Sequence, residues 1–322
     1  MDLLTFTDKG LYCEAAGIYI DPKKPVDYAL ITHGHADHSR WGHKRYLCAQ
    51  LAKPVIKHRL GPIKIQSVPY GERVTINGVH FSFHPAGHIV GSAQIRVEYK
   101  GEVWVASGDY KTTSDGISTP FEPVKCHTFI TESTFGLPVF KWKSQDQVFE
   151  EINAWWAANK AAGKTSILCG YSLGKAQLLL AHVNPEIGKI YAHAAVENVN
   201  KVIRKQGIPI PECTRITPQV KKSELPGSLI IAPPSAVNSS WVKPFGEVSI
   251  GMASGWMAMR NNHYKRMADK GFTLSDHADW EGLNQAVEQS EATRVIVTHG
   301  YTAAYSQWLR EKGYEAEGIN LH

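Results

Sequence analysis

The sequence predicts an α/β fold in which a sheet-rich domain, assembled from both ends of the chain, receives an inserted layer of alternating strands and helices. Three observations predict it. Short apolar β-type runs crowd roughly the first 130 residues, strand and helix patterns alternate from about 141 to 269, and the opening pattern returns from about 270. With 322 residues, 43% of them hydrophobic, the chain can bury such a core without staples.

The first region reads as strands at "GIYI", "YALIT", "IKIQSV", "VHFSFH", "QIRVEY", "EVWVAS" and "TFITES", separated by turn signals such as Asn77-Gly78 and Lys100-Gly101. Ser144 followed by Gln147 forms a capping-box signature, opening a helix through "QDQVFEEINAWWAANKAA" that stops at Gly163. Strand-like "SILC", helix-like "GKAQLLLAHV", strand-like "KIYAHA", helix-like "ENVNKVIRKQ" and strand-like "SLIIA" and "VSIGMA" follow, which is the alternation of a parallel sheet. Strand "FTLS", helix "DWEGLNQAVEQS" and strand "RVIVT" then close the sheet-rich domain. The expected divisions are therefore 1–140, 141–269 for the insertion, and 270–322.

Lysine and arginine number 35 against 30 acids, a mild basic excess that suits an anionic partner without singling one out. The five cysteines form no C-x-x-C pair, and with no secretory or membrane-spanning pattern in view a reducing, cytoplasmic setting is expected.

Chemistry concentrates at the ends of strands. "THGHADH" places His33, His35, Asp37 and His38 on one short loop after "YALIT"; a helix or strand would scatter those side chains. His88 follows "FSFH" in "PAGHIVGS", Asp109 ends "VWVASGD", and His299 ends "RVIVTHG". Imidazole nitrogen and carboxylate oxygen form a ligand set preferred by zinc, with manganese or iron as alternatives. Seven candidates exceed what one tetrahedral ion needs, whereas two ions bridged by one carboxylate would use them all. His43, His58, His80, His127 and His193 stand apart from this pattern and read as structural.

The run "THGHADH", "AGHIVGS", "SGDY", "VTHG" resembles, in order, the metal motifs of the metallo-β-lactamase fold. That resemblance implies an αββα sandwich with a metal pair at its edge. His33, His35 and His88 would hold one ion and Asp37, His38 and His299 the other, with Asp109 bridging. Glu132 in "TEST" and His277 in "LSDHADW" lie on either side of the insertion, as an acid and a histidine do in the β-CASP nucleases. The similarity covers nearly the whole chain and is closest to the bacterial ligase-associated DNA exonucleases and the DNA crosslink-repair nucleases.

What the resemblance implies is a metal-dependent DNA exonuclease acting in repair. Two divalent ions, zinc or else manganese, would lower the pKa of a bridging water and stabilise an in-line displacement, with Asp37 counted among the groups of the reacting centre. His277 would protonate the leaving 3′-oxygen and Glu132 would orient it. Nucleic acid, DNA before RNA, would be the partner, in functional association with a DNA ligase and a helicase and with no membrane involved. In the insertion, "GYSLGKAQLLL" offers a helix start where Ser172, Gly174 and Lys175 could hold a substrate phosphate. Lys141-Trp142-Lys143, Arg204-Lys205 and "RNNHYKR" at 260–266 are further basic or aromatic groups suited to single strands. Asp276 and Asp279, flanking His277, depart from the crosslink-repair pattern and leave a 5′-end preference, hence 5′→3′ polarity, open. The competing readings are an RNA-processing β-CASP ribonuclease, a glyoxalase-type thioester hydrolase, which would leave the insertion and Glu132 unexplained, and a non-catalytic scaffold, which would be expected to have lost ligands.

Overall fold

The computed structural model describes residues 2–259 and 267–319, so the basic stretch at 260–266 lies outside the described residues. Chain contacts divide it into two compact units: 1–114, 118–141 and 277–322 in the first, 115–117 and 142–276 in the second.

The first unit begins with a sheet in chain order: β1 (Thr5–Thr7), β2 (Gly10–Cys13), β3 (Ile18–Ile20), β4 (Tyr28–Ile31), β5 (Arg45–Ala49) and β6 (Ile65–Val68). A second sheet starts with β7 (Val74–Ile76), β8 (Val79–Pro85), β9 (Ala93–Tyr99), β10 (Glu102–Ala106) and β11 (Thr128–Ser133).

The second unit carries β12 (Thr165–Cys169), β13 (Ile190–Ala192), β14 (Thr214–Arg215), β15 (Leu229–Ala232), β16 (Val248–Ala253) and β17 (Lys270–Phe272) in the spatial order β14-β13-β15-β12-β16-β17. Every pairing in that sheet is parallel. Its inner strands β12 and β15 are buried on both faces, as covered parallel strands must be; Ile167, Cys169, Tyr191 and Ile230 share one buried cluster. The helix Gln145–Ala161 opens with the expected reciprocal cap, Ser144 Oγ accepting from Gln147 N at 3.3 Å and Gln147 Oε1 accepting from Ser144 N at 3.2 Å.

The chain then returns to the second sheet with β18 (Arg294–Gly300) and β19 (Glu315–Gly318), giving the order β19-β18-β11-β10-β9-β8-β7. Successive side chains of a strand face opposite ways, and the core obeys this closely. Leu30 of β4, Leu47 of β5, Trp104 of β10, Ile130 of β11 and Ile296 of β18 meet in one cluster, so the two sheets pack face to face. Their chain neighbours point outward: Ala29, Ile31, Tyr46 and Cys48 pack with Ile56 of the helix Lys53–Leu60. Val105, Phe129, Val295 and Val297 pack with Leu283 and Leu309 of the helices Trp280–Gln289 and Thr302–Glu311. The first unit is thus four layers: helix, sheet, sheet, helix. At about 1.5–3 kcal/mol per fully buried aliphatic or aromatic side chain, these two-sided strands dominate its stability.

One expected element lies elsewhere. The strand at "FTLS" was assigned to the closing part of the sheet-rich domain, but β17 pairs with β16 in the second unit, and Phe272 is buried against Trp155 at 5.5 Å. The second unit accordingly runs to Asp276 instead of ending at 269. Among the described residues no helix is long and apolar enough to cross a membrane. All five cysteines are free thiols, four of them buried.

Candidate metal centre

In the second sheet β10, β11 and β18 run parallel, so their C-terminal ends open at one edge. Asp109 follows β10, Glu132 lies near the end of β11, and His299 near the end of β18. The β11–β18 ladder is regular up to Glu132 opposite Thr298, then resumes with Ser133 opposite Gly300. His299 is therefore the extra residue of a β-bulge. Bulges re-aim side chains. Its φ is +51°, an uncommon conformation for a residue with a Cβ. The next residue has no alternative to glycine: a Cβ on Gly300 would stand 2.2 Å from the Ser133 carbonyl oxygen.

The loop after β4 carries His33, His35, Asp37 and His38. It is fastened from both sides. Arg59 Nη1 donates to the Gly34 and Ser39 carbonyls at 3.1 and 3.0 Å, and Asp21 accepts from Thr32 N at 2.8 Å and from Thr32 Oγ1 at 2.5 Å. The loop bearing Asp109 passes so close that a Cβ on Gly108 would lie 2.7 Å from that of Thr32. In the loop after β8, Ser92 Oγ accepts from the His88 backbone N–H at 3.1 Å, holding a histidine that is 1% exposed.

These loops bring His33, His35, His88 and Asp109 together, with one potential donor atom from each lying within 4.8 Å of all the others. His88 Nε2 and His35 Nδ1 are 3.1 Å apart, and Asp109 Oδ2 is 3.5 Å from His33 Nε2 and 3.8 Å from His88 Nε2. The other oxygen of Asp109 faces away from this group, 3.3 Å from His38 Nε2. Asp37 Oδ2 stands 3.8 Å from the same His38 nitrogen, and the His299 ring stacks on His38 at 5.5 Å. The second set is the looser of the two, and Asp37 is mostly exposed.

The donor set fits a metal. His33 Nε2 and His38 Nε2 are buried with no hydrogen-bond partner, which is costly for ring nitrogens unless a ligand is supplied. Their Nδ1 atoms are already engaged, His33 with Thr32 Oγ1 at 3.1 Å and His38 with Asp21 Oδ2 at 2.7 Å, as partners that orient metal-binding imidazoles are. Burial and the neighbouring His38 push His33 well below its ordinary pKa, leaving a neutral ring. Burial acts on His38 in the same sense, but Asp109 and Asp21 outweigh it and hold that ring well above its ordinary value. Burial alone would raise Asp109; His38, His33 and His277 overcome it and keep the carboxylate charged.

Glu132 and His277 form a separate device. His277 Nδ1 lies 3.0 and 2.9 Å from the two oxygens of Glu132, which also accept from Tyr110 N at 2.8 Å and from Thr134 Oγ1. Although Asp109, Glu132 and His277 approach within 4.8 Å, the Glu132 oxygens are already occupied, so this carboxylate orients His277 instead of completing a metal shell. The His277 ring lies 4.5 Å from that of His88.

Asp21 escaped the sequence reading. It follows the strand run "GIYI" as the other acids and histidines follow theirs, but Asp-Pro reads first as a turn. The phosphate site expected at Ser172, Gly174 and Lys175 is corrected by the structure. The helix does start at Lys175, after Gly174 with φ +90°, but its groups are used internally. Gly174 N donates to Gln177 Oε1 at 2.7 Å, Ala176 N to the Tyr171 carbonyl, and Gln177 Nε2 to the Ser172 carbonyl at 3.0 Å. Lys175 is buried and its Nζ lies 2.7 Å from Asp276 Oδ1. Asp276 is thus the counter-charge of a core lysine, and Asp279 caps the helix that follows it. Lys141 and Arg204 pair with Glu281 and Glu197, both at 2.9 Å. Three of the histidines set apart in the sequence bond to the backbone: His127 Nδ1 accepts from Val103 N, His193 Nδ1 caps the helix Ala194–Arg204, and His43 Nδ1 accepts from Val26 N, though His43 Nε2 is also buried without a hydrogen-bond partner.

No family model matches the chain. Curated relatives do. The chain is 31% identical over 316 residues, 96% of its length, to a probable DNA ligase of Opitutus terrae, of which it covers 30%. It is 26% identical over 193 residues to an RNase J-like protein of Methanocaldococcus jannaschii, half of this chain and 44% of that one. Over 75 residues it is 36% identical to the endoribonuclease YSH1 of Saccharomyces cerevisiae, 23% of this chain and 10% of that one. The chain belongs to the metallo-β-lactamase/β-CASP nuclease superfamily. It spans less than half the length of each of these relatives. A crystal structure of a protein of unknown function from Enterococcus faecalis V583 shares the fold, with a TM-score of 0.63 at 11% identity over 91% of this chain and 78% of that one. The candidate ligands thus lie at strand ends of one sheet-rich unit, and His277 and His299 come to them from the later part of the chain.

Proposed function

We propose that the chain is a metal-dependent DNA exonuclease acting in repair in the cytoplasm, with the second compact unit serving as the β-CASP domain. Two divalent ions, zinc or manganese, would be held by His33, His35 and His88 and by Asp37, His38 and His299, with one oxygen of Asp109 given to each. Bound there, they supply an activated water and neutralise charge on the phosphate. The chain's own work is to donate and orient. His277 gives a proton to the departing 3′-oxygen, and Glu132, accepting from His277 Nδ1 at 2.9 Å, keeps Nε2 as the donating atom.

The observation that carries this reading is the split of Asp109, whose two oxygens address different histidine groups at 3.5 and 3.3 Å. That arrangement is what a carboxylate shared between two ions needs, and it supports the two-ion reading. DNA is favoured because a match over 96% of the chain is to a probable DNA ligase, and the same likeness supports a functional association with a ligase. Similarity to an RNase J-like protein and to an endoribonuclease supports the second reading, an RNA-processing ribonuclease. End-labelled single- and double-stranded DNA and RNA, each with zinc and with manganese, decide between them. Stepwise shortening of DNA supports the first reading and also gives its polarity; preference for RNA overturns it.

A further inference from the structure

A cavity of about 260 Å³ opens beside the metal centre, with Asp37, His38 and His299 on one wall and Phe6, Leu11 and Ile130 among its apolar sides. The β1–β2 hairpin forms its outer side, Phe6 from β1 and Leu11 from β2. Its volume falls just below the roughly 300–1,000 Å³ of sites for drug-sized ligands, so it accepts one base or nucleoside and not a run of them. Lys23 also lines it, while the lining Asp8 is turned to Lys24 at 2.8 Å.

The cavity borders only one half of the centre. His38 and His299 line it; His88 and His277 do not. His277 sits at the other half, against His88 at 4.5 Å. This asymmetry fixes which nucleoside can enter, given the reading of the chain as a nuclease on which the inference rests. Hydrolysis forms a bond from water oxygen to phosphorus and breaks the bond from phosphorus to the 3′-oxygen, which takes its proton from His277. The leaving nucleoside is therefore on the His277 side, away from the cavity, which leaves the cavity beside His38 and His299 to the nucleoside that keeps the phosphate.

We propose that this cavity holds the base of the nucleotide immediately 3′ to the scissile bond, and that the ring of Phe6 is the face on which it stacks. Stacking on one aromatic ring is insensitive to base identity, so the cavity sets the grip on each step without imposing a sequence preference.

A single abasic residue moved along a DNA substrate tests this. Per-step rates should fall roughly tenfold when the abasic residue stands just 3′ to the bond being cut, and at no other position. Phe6→Leu, which keeps the packing but removes the ring, should lose a similar factor on intact DNA and become indifferent to the abasic residue; Phe6→Tyr should restore both. A readout independent of cutting uses 2-aminopurine at that position, bound to the slow His277→Ala protein: emission should be quenched with Phe6 and recover with Phe6→Leu. A flat abasic profile in an active enzyme, a loss confined to the 5′ side, or quenching that survives Phe6→Leu overturns the pocket. Failure to cut any nucleic acid overturns the nuclease reading beneath it.

Discussion

Replacing Glu132 with glutamine removes one charge from a carboxylate that is 2% exposed while keeping its size. Three donors now address that carboxylate: Tyr110 N–H at 2.8 Å, the Thr134 hydroxyl, and His277 Nδ1 at 2.9 and 3.0 Å. The backbone donor cannot move, so the amide oxygen must stay with Tyr110 and the new NH₂ must turn toward Thr134 and His277. His277 loses a charge-assisted bond and its fixed orientation. Hydrogen bonds to charged groups contribute about 1.5–3 kcal/mol, and if this one matters only while His277 gives up its proton, the rate falls roughly 10–100-fold. His277→Ala, which removes the acid itself, should cost roughly 10²–10⁴-fold.

The double variant separates a shared role from two independent ones. With His277 already gone, Glu132→Gln should add little, because the two residues act as one unit. Single-turnover cleavage of an end-labelled oligonucleotide gives the rates, metal analysis verifies that both ions remain, and a nitrophenyl phosphodiester supplies a leaving group that needs no proton. Both losses should shrink on that ester. Fully additive losses, or equal losses on both substrates, would refute the assignment and return the pair to a purely structural role.

Asp109→Asn should lose metal and hydrolysis together, and full occupancy by elemental analysis would refute the bridging role. Asp21→Asn should keep the fold but weaken metal binding at the His38 half by roughly 10–100-fold, read by competition with a chelator, since Asp21 orients that ring through Nδ1 at 2.7 Å. Chelation of the native protein should lower its melting temperature, because ions that bind only the folded state stabilise it by mass action; an unchanged melting point would mean the cluster holds none. Lys175→Ala should reduce stability by about 3–5 kcal/mol in urea titration, because it removes the cation 2.7 Å from the buried Asp276 carboxylate, and should leave the salt dependence of DNA binding unaltered. A flatter salt slope with intact stability would reinstate Lys175 as a phosphate contact.

The candidate metal-binding loops were visible because their signature is local: each acid or histidine stands just past an apolar strand run, and the parallel ends of β10, β11 and β18 bring them to one edge. Asp21 carries the same signature, but its side chain acts through His38, and only the hydrogen bond between them distinguishes it from a turn aspartate. Lys175 was misread for the converse reason. A lysine at a helix start looks like an anion site until its partner is known, and that partner lies 101 positions away. The strand at Lys270–Phe272 has an apolar pattern that suits either sheet; the choice is made by β16 and by Trp155, neither of which is near it in sequence. Local chemistry was readable, while long-range pairing was not.

The same distinction governs how the site is assembled. His33, His35, His88 and Asp109 all come from the first 109 residues, from loops following β4, β8 and β10. Asp37 and His38 share that early chain, whereas His277 and His299 close over much longer separations: His277 meets Glu132 across 145 positions, and Ser133 meets the His299 carbonyl across 166. Closing loops of that length costs entropy before any contact offsets it, so such pairings tend to form late. Most of the candidate ligands can therefore be organised by local chain alone, whereas His299 waits for β18 to insert between β11 and β19. The bulge at His299 belongs to that last step, because it exists only where β18 meets β11. A chain that has folded its first sheets but not docked its end holds a partial ligand set and no acid. On the proposed function, hydrolysis would be tied to completion of the first unit.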